Sequence, residues 1–169
     1  MKLIHLKTAA AAASLVLLPG YALAATSTPA TMLVTTTVLT SCSVTALPLA
    51  FGNYSQATTT DTAATSTVTA ICSAGLPYHV RIDKGANGGT VTTRQMKGGT
   101  TNALINYGLY RDSNHTQNWG VTDSTDTVDV TAGSNTGLPN AITVYGLLPN
   151  GQTSAADAYT DTVNVTVSY

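Results

Sequence analysis

Along much of the chain, apolar and polar side chains alternate with a period of two, the spacing that sets one group on each face of a β-strand. The longest run spans residues 159–169, with Tyr159, Val163, Val165, Val167 and Tyr169 on one face and Thr160, Thr162, Asn164, Thr166 and Ser168 on the other. Tyr78, Val80 and Ile82 alternate with His79, Arg81 and Asp83. Ser66, Val68, Ala70 and Cys72 alternate with Thr65, Thr67, Thr69 and Ile71. Further strands are predicted over residues 44–49, 90–97, 104–112, 125–131 and 141–148. Gly75 and Pro77, the glycines of residues 85–89, Gly98-Gly99, Gly137 with Pro139, and Pro149-Asn150-Gly151 part these strands. Short, regularly spaced strands between such turns predict an all-β sandwich.

One alternating run stands apart. Residues 31–39 place Met32, Val34, Thr36 and Val38 on one face and Leu33, Thr35, Thr37 and Leu39 on the other, ahead of the first cysteine. With an immunoglobulin-like topology the sandwich holds six strands, and a seventh would follow Tyr169. The inner face of the last strand then borders an open groove, an edge that a secreted protein must cover. The run before Cys42 has the alternation and length to cover it in a second copy. Strand addition supplies main-chain hydrogen bonds while alternate side chains fill pockets, and head-to-tail repetition gives an open-ended polymer. The competing readings are a tail without structure and a first strand pairing within its own sheet.

Composition agrees with β structure. Thr, Ala and Val are abundant and Glu is absent, whereas helix interiors favour Leu, Glu, Lys and Arg over β-branched residues. At the start of the chain, Lys2 and Lys7, an apolar run over residues 8–18 and Ala22-Leu23-Ala24 read as a signal peptide over residues 1–24. Pro19 and Gly20 interrupt the apolar run, leaving it short of the roughly 20 residues of a spanning helix. The remainder divides into an extension over residues 25–40 and one domain over residues 41–169. Losing Lys2 and Lys7 takes the formal charge from −1 to −3, with no basic patch to neutralise phosphates, so nucleic acid is not an expected partner. No later stretch is apolar and long enough for membrane insertion.

Cys42 and Cys72 are the only cysteines; after an export signal, an intrachain disulfide is the expectation. Nothing points to catalysis, metal or cofactor. G-x-S-x-G, H-E-x-x-H and phosphate-loop patterns are missing, and His79 and His115 are isolated. Asp123, Asp126 and Asp129 recur every three residues, not with the two-residue spacing, Gly and closing Glu of a calcium loop. They read as turn and strand-edge solvation, and Arg111-Asp112 as a local ion pair or turn cap. The loops around Thr58 and Trp119 are candidates for contacts between subunits.

A set of motifs in order carries a family resemblance: Cys42, Phe51-Gly52-x-Tyr54, Val68-x-x-x-Cys72, Arg94-x-Met96, Tyr107-x-x-Tyr110-Arg111-Asp112, Trp119-Gly120, Val144-Tyr145-Gly146 and the alternation from Tyr159 to Tyr169. Together they resemble the spore coat protein U domain, the pilin module of archaic, Csu-type chaperone-usher pili. The resemblance implies an incomplete immunoglobulin-like β-sandwich of six strands plus an N-terminal donor strand, completed by donor strand exchange. It implies a structural pilin, not an enzyme, acting in adhesion and biofilm formation. Its partners would be other copies of itself or related pilins, a periplasmic chaperone and an outer-membrane usher, and its route would run through the periplasm to the cell surface. Met32, Val34, Thr36 and Val38 would be the donor residues, with Thr36 polar where a larger apolar side chain fills a groove better. Tyr159, Val163, Val165, Val167 and Tyr169 would form the acceptor groove and the strand that pairs with the chaperone. The alternative function is a tip or minor adhesive subunit that binds a surface or receptor.

Overall fold

The structure is a computed structural model and describes residues 26–169; the signal peptide reading lies outside the described residues. The chain divides into a unit reaching Thr37 and a compact unit Val38–Tyr169. In the first, the described residues carry no regular secondary structure. The second is all-β, with strands β1 (Cys42–Ala46), β2 (Thr62–Cys72), β3 (Tyr78–Ile82), β4 (Arg94–Gly98), β5 (Leu104–Tyr110), β6 (Val128–Val130), β7 (Asn140–Leu148), β8 (Tyr159–Thr160) and β9 (Val165–Ser168).

Two antiparallel sheets form, one in the order β1-β2-β7-β5-β4-β8 and the other β6-β3-β9. Alternation explains the core between them. Tyr78, Val80 and Ile82 of β3 are buried while His79 and Arg81 are not. They meet Val68, Ala70 and Cys72 of β2, Val144 and Leu148 of β7, and Ile105, Tyr107 and Leu109 of β5. This is the immunoglobulin-like sandwich that the alternation predicts, cut into nine strand segments where six strands were expected.

One expectation changes. The run at residues 159–169 is not one strand: β8 pairs with β4 and β9 pairs with β3, so the chain crosses from one sheet to the other between them. Side chains break the ladder there. The carboxylate of Asp161 accepts from the amides of Ala86 (2.9 Å) and Thr162 (2.8 Å), and that of Asp83 accepts from the amide of Asn164 (2.9 Å). Backbone donors that would pair with a neighbouring strand are satisfied by carboxylates instead. Within the loop offered for contacts between subunits, Trp119 itself turns inward. It is fully buried, and its indole N–H donates to the Val80 carbonyl at 2.8 Å.

Candidate polymerisation groove

β1 and β9 are the edge strands of different sheets on the same side of the sandwich, and they exchange no ladder hydrogen bonds. Their Cα atoms approach within 8 Å. Antiparallel pairs alternate between residues that bond to the partner strand and residues that turn their backbone groups away. On β1, Ser73 N–H donates to the Ser41 carbonyl and Leu47 N–H to the Thr67 carbonyl, both at 2.9 Å. The bonded positions are therefore 41, 43, 45 and 47, and the backbone groups of Cys42, Val44 and Ala46 point to the open edge. On β9, Asp83 N–H donates to the Asn164 carbonyl at 3.1 Å. Thr166 and Ser168 follow it in facing β3, and the backbones of Val163, Val165 and Val167 face outward.

Between these edges the core is open. Val163, Val165 and Val167 turn inward yet are only partly buried. A cleft of about 430 Å³ runs beneath the first two, lined by Ala46, Leu47 and Leu49 on one wall and Tyr159, Val163 and Val165 on the other. Val68, Ile82, Tyr107, Leu109 and Val144 form its floor. Ala46 and Val165 line the cleft, whereas Cys42, Val44 and Val167 do not, so it opens toward one end of the two strands. Gly146 of β7 makes room for the wall: a Cβ there would lie 2.9 Å from Leu49 Cδ1 and 3.0 Å from Phe51 Cζ. Such separations are below van der Waals contact, which a packed interior does not absorb without movement.

The cleft has one polar corner. Tyr107 donates its hydroxyl to Asp161 Oδ2 at 2.7 Å, and Asn87 donates its side-chain amide to Asp161 Oδ1 at 3.0 Å and to the Thr160 carbonyl at 2.8 Å. Burial, reinforced by Asp161, pushes the Tyr107 phenol far above its ordinary pKa, so it remains a donor. Burial opposes ionisation of Asp83, but hydrogen bonds from Asn164 and Gly85 outweigh it and lower its pKa. Gly85 adopts φ +85°, and a Cβ there would fall 2.0 Å from Asp161 Oδ2, so the turn requires glycine.

Behind this corner lies Arg94, fully buried without a carboxylate partner. It donates to the carbonyls of Asp83 (2.7 Å), Val91 (2.7 Å), Ile82 (3.0 Å) and Trp119 (2.6 Å). Burial lowers its pKa, opposed by the surrounding acidic groups. The sequence reading placed Arg94 on a strand without seeing this role as a staple between segments.

The other candidates are placed as follows. Met32, Val34 and Val38 are 85%, 79% and 86% exposed, Thr36 is exposed, and none lies in a strand. Tyr159, Val163 and Val165 line the cleft, Val167 packs against the core beside it, and Tyr169 is exposed. Cys42 and Cys72 form a disulfide between directly opposed residues of β1 and β2, with Cα atoms 4.1 Å apart. Asp123 pairs with Arg81, Asp129 with His79 (2.8 Å), and Asp126 accepts from the Thr122 amide. Asp112 caps a turn by accepting from the amides of Thr116 and Gln117, and Arg111 donates to the carbonyls of Thr125 and Thr127. Among the described residues, no group of three His, Cys, Asp or Glu side chains could hold a metal.

The fold and its open edge define an immunoglobulin-like β-sandwich with one side uncovered. The chain belongs to the Spore Coat Protein U domain family, whose model matches residues 28–166. Among solved structures the fold is similar to that of a chain in the CsuC–CsuE chaperone–tip adhesion subunit pre-assembly complex from the archaic chaperone-usher Csu pili of Acinetobacter baumannii. That similarity has a TM-score of 0.57 and 24% sequence identity, and covers 79% of this chain and 41% of that one. The chain thus spans less than half the length of that relative. Comparison with curated proteins finds no match.

Proposed function

We propose that this chain is a structural pilin that polymerises by strand donation: residues 25–40 of one copy fill the groove in residues 41–169 of the next. The observation that carries the reading is the pair of facing edges, Cys42, Val44 and Ala46 on β1 and Val163, Val165 and Val167 on β9, whose outward backbone groups have no ladder partner among the described residues and which flank the cleft at its Ala46 and Val165 end. A strand between them bonds to both neighbours, because its odd and even residues turn their amides to opposite sides. Met32, Val34, Thr36 and Val38 then point into the core.

A strand with neighbours on both sides needs them about 9.5 Å apart, twice the interstrand spacing. β1 and β9 stand closer than this, so β1 moves outward as the donor enters. Until then the chaperone covers the groove, and the usher is the site of exchange. Export through the periplasm to the cell surface, with adhesion and biofilm formation by the assembled fibre, belongs to the same reading. A tip subunit needs a groove but has no use for a donor. The exposed apolar series Met32, Val34 and Val38 therefore favours a place within the shaft over the tip or minor adhesive alternative.

The test is deletion of residues 31–39 and expression with the chaperone and usher. The expected result is soluble chaperone-bound subunit and no fibres; fibres from the deleted chain would end the proposal.

A further inference from the structure

We infer that the Cys42–Cys72 disulfide is a mechanical clip that carries tension from the N-terminal extension directly into β2, so that β1 cannot be unzipped from the sheet. The inference rests on the strand-donation reading, in which the extension of each subunit is its load-bearing link to a neighbour. Only Leu39, Thr40 and Ser41 separate Val38, the last of the donor residues, from Cys42. Force along the extension therefore enters the domain at the first residue of β1.

β1 is an edge strand held on one side only, by antiparallel pairing to β2. Pulling on its first residue loads the ladder one rung at a time, in the order Ser43 with Ile71, Thr45 with Thr69, then Leu47 with Thr67. Each backbone hydrogen bond contributes little net stability by itself, so sequential loading is the weakest way to pull such a ladder. The disulfide sits at the first opposed pair of the strand, Cys42 with Cys72. Only the contacts between Ser41 and Ser73 lie outside it. Load reaching Cys42 passes through the sulfurs to Cys72 at the end of β2, and β2 is an interior strand bound by β1 on one side and by β7 along Thr62 to Ala70 on the other.

The position is informative because a bridge elsewhere would serve a different purpose. Ala46 and Val68 are also directly opposed on outward-turned backbone positions of β1. A bridge there closes a loop of similar length and restricts the unfolded chain to nearly the same degree. It would leave the rungs nearest the load free to open. A bridge at residue 42 protects all of β1, and β1 is one wall of the groove. The same bond therefore keeps the acceptor site in shape while the donor segment of the same subunit is under tension.

The experiment stretches single full-length mature chains between handles placed just before Thr31 and after Tyr169, in an optical trap. The oxidised protein is expected to show no lengthening before global unfolding. After reduction of the same tethered molecule, and in the Cys42→Ala/Cys72→Ala variant, an early step is expected as β1 peels away, freeing five residues, about 17 Å of strand. Adding Ala46→Cys and Val68→Cys to that variant is expected to raise its melting temperature while leaving an early step at the unclipped rungs. Should the alanine variant fail to fold, the reduced wild-type chain supplies the same comparison. An early step in the oxidised wild type, no early step after reduction, or full protection by the relocated bridge would overturn the inference. Because single chains are pulled, the result is independent of whether fibres form, which the deletion of residues 31–39 tests separately.

Discussion

Substituting Val34 by Ala should weaken the fibre without weakening the subunit. Val34 is 79% exposed, and a surface substitution of this kind changes stability by no more than about 0.5 kcal/mol. Under the proposed strand donation the same side chain is enclosed in the groove, and removing its two methyl groups forfeits about 1.6 kcal/mol at ~0.8 kcal/mol per carbon. That is about a 15-fold loss in the equilibrium constant of each junction, and more if the wall formed by Leu47 and Leu49 does not close over the space. Thr36→Val has the opposite sign: exchanging a hydroxyl that enters an apolar cleft for a methyl group should tighten each junction by about 1 kcal/mol or more. The assay is heat dissociation of purified fibres into monomers, followed by electrophoresis. Thermal unfolding of the monomeric full-length variants serves as the control. The order of dissociation temperature should be Thr36→Val above wild type above Val34→Ala, with monomer melting unchanged. Fibres of Val34→Ala that dissociate with wild type, or a monomer destabilised as much as its fibre, would refute the reasoning.

Other substitutions probe the scaffold. Trp119→Ala removes a fully buried indole and its bond to the Val80 carbonyl; denaturant melts should show a loss of about 3 to 5 kcal/mol. Gly146→Val should push Leu49 and Phe51 out of the groove wall, and the variant should fail to join wild-type fibres in co-assembly even where circular dichroism shows it folded. Asp157 accepts from the Thr101 and Thr100 amides and the Thr101 hydroxyl, which hold its pKa down at about 2 against an ordinary 3.8. Its contribution to stability is therefore complete above the ordinary value and is lost as pH falls from there toward 2. Acid titration of thermal stability should show a component in that window that Asp157→Asn removes; an unchanged profile would contradict it.

How far the sequence reveals this molecule depends on whether a residue acts locally or across the fold. The strict alternation of Tyr78, Val80 and Ile82 marks β3 because each side chain responds to one face of one sheet. Residues 159–169 show the limit. Their alternation continues through the crossing between sheets, since a strand that changes partners still turns every second residue inward. Asp161 was the available signal: a carboxylate in the inward series of Tyr159 and Val163, where it collects the amides that the broken ladder releases. Trp119 reads as a loop residue because its neighbours Asn118 and Gly120 are loop formers, and its burial depends on a carbonyl 39 positions away. Arg94 is least legible of all. A charge within the strand predicted over residues 90–97 reads as solvated, and only the convergence of four carbonyls, from Val91 nearby and from Ile82, Asp83 and Trp119 further off along the chain, makes a dry guanidinium tolerable. The cleft was legible in part, through the inward valines before Tyr169, but its second wall at residues 46–49 reads only as the end of a strand over residues 44–49, with nothing to mark it as lining a cleft.

Under the proposed strand donation, the cleft's one-sidedness would give insertion a direction in time. Ala46 and Val165 line the cleft and Cys42, Val44 and Val167 do not, so a donated strand would seat its first side chain at the open end. Each later pair forms only after β1 has been prised a little further from β9. Filling then proceeds as a zipper with a fixed starting tooth. The residue that enters first governs how fast a junction is made, while the full series governs how long it lasts.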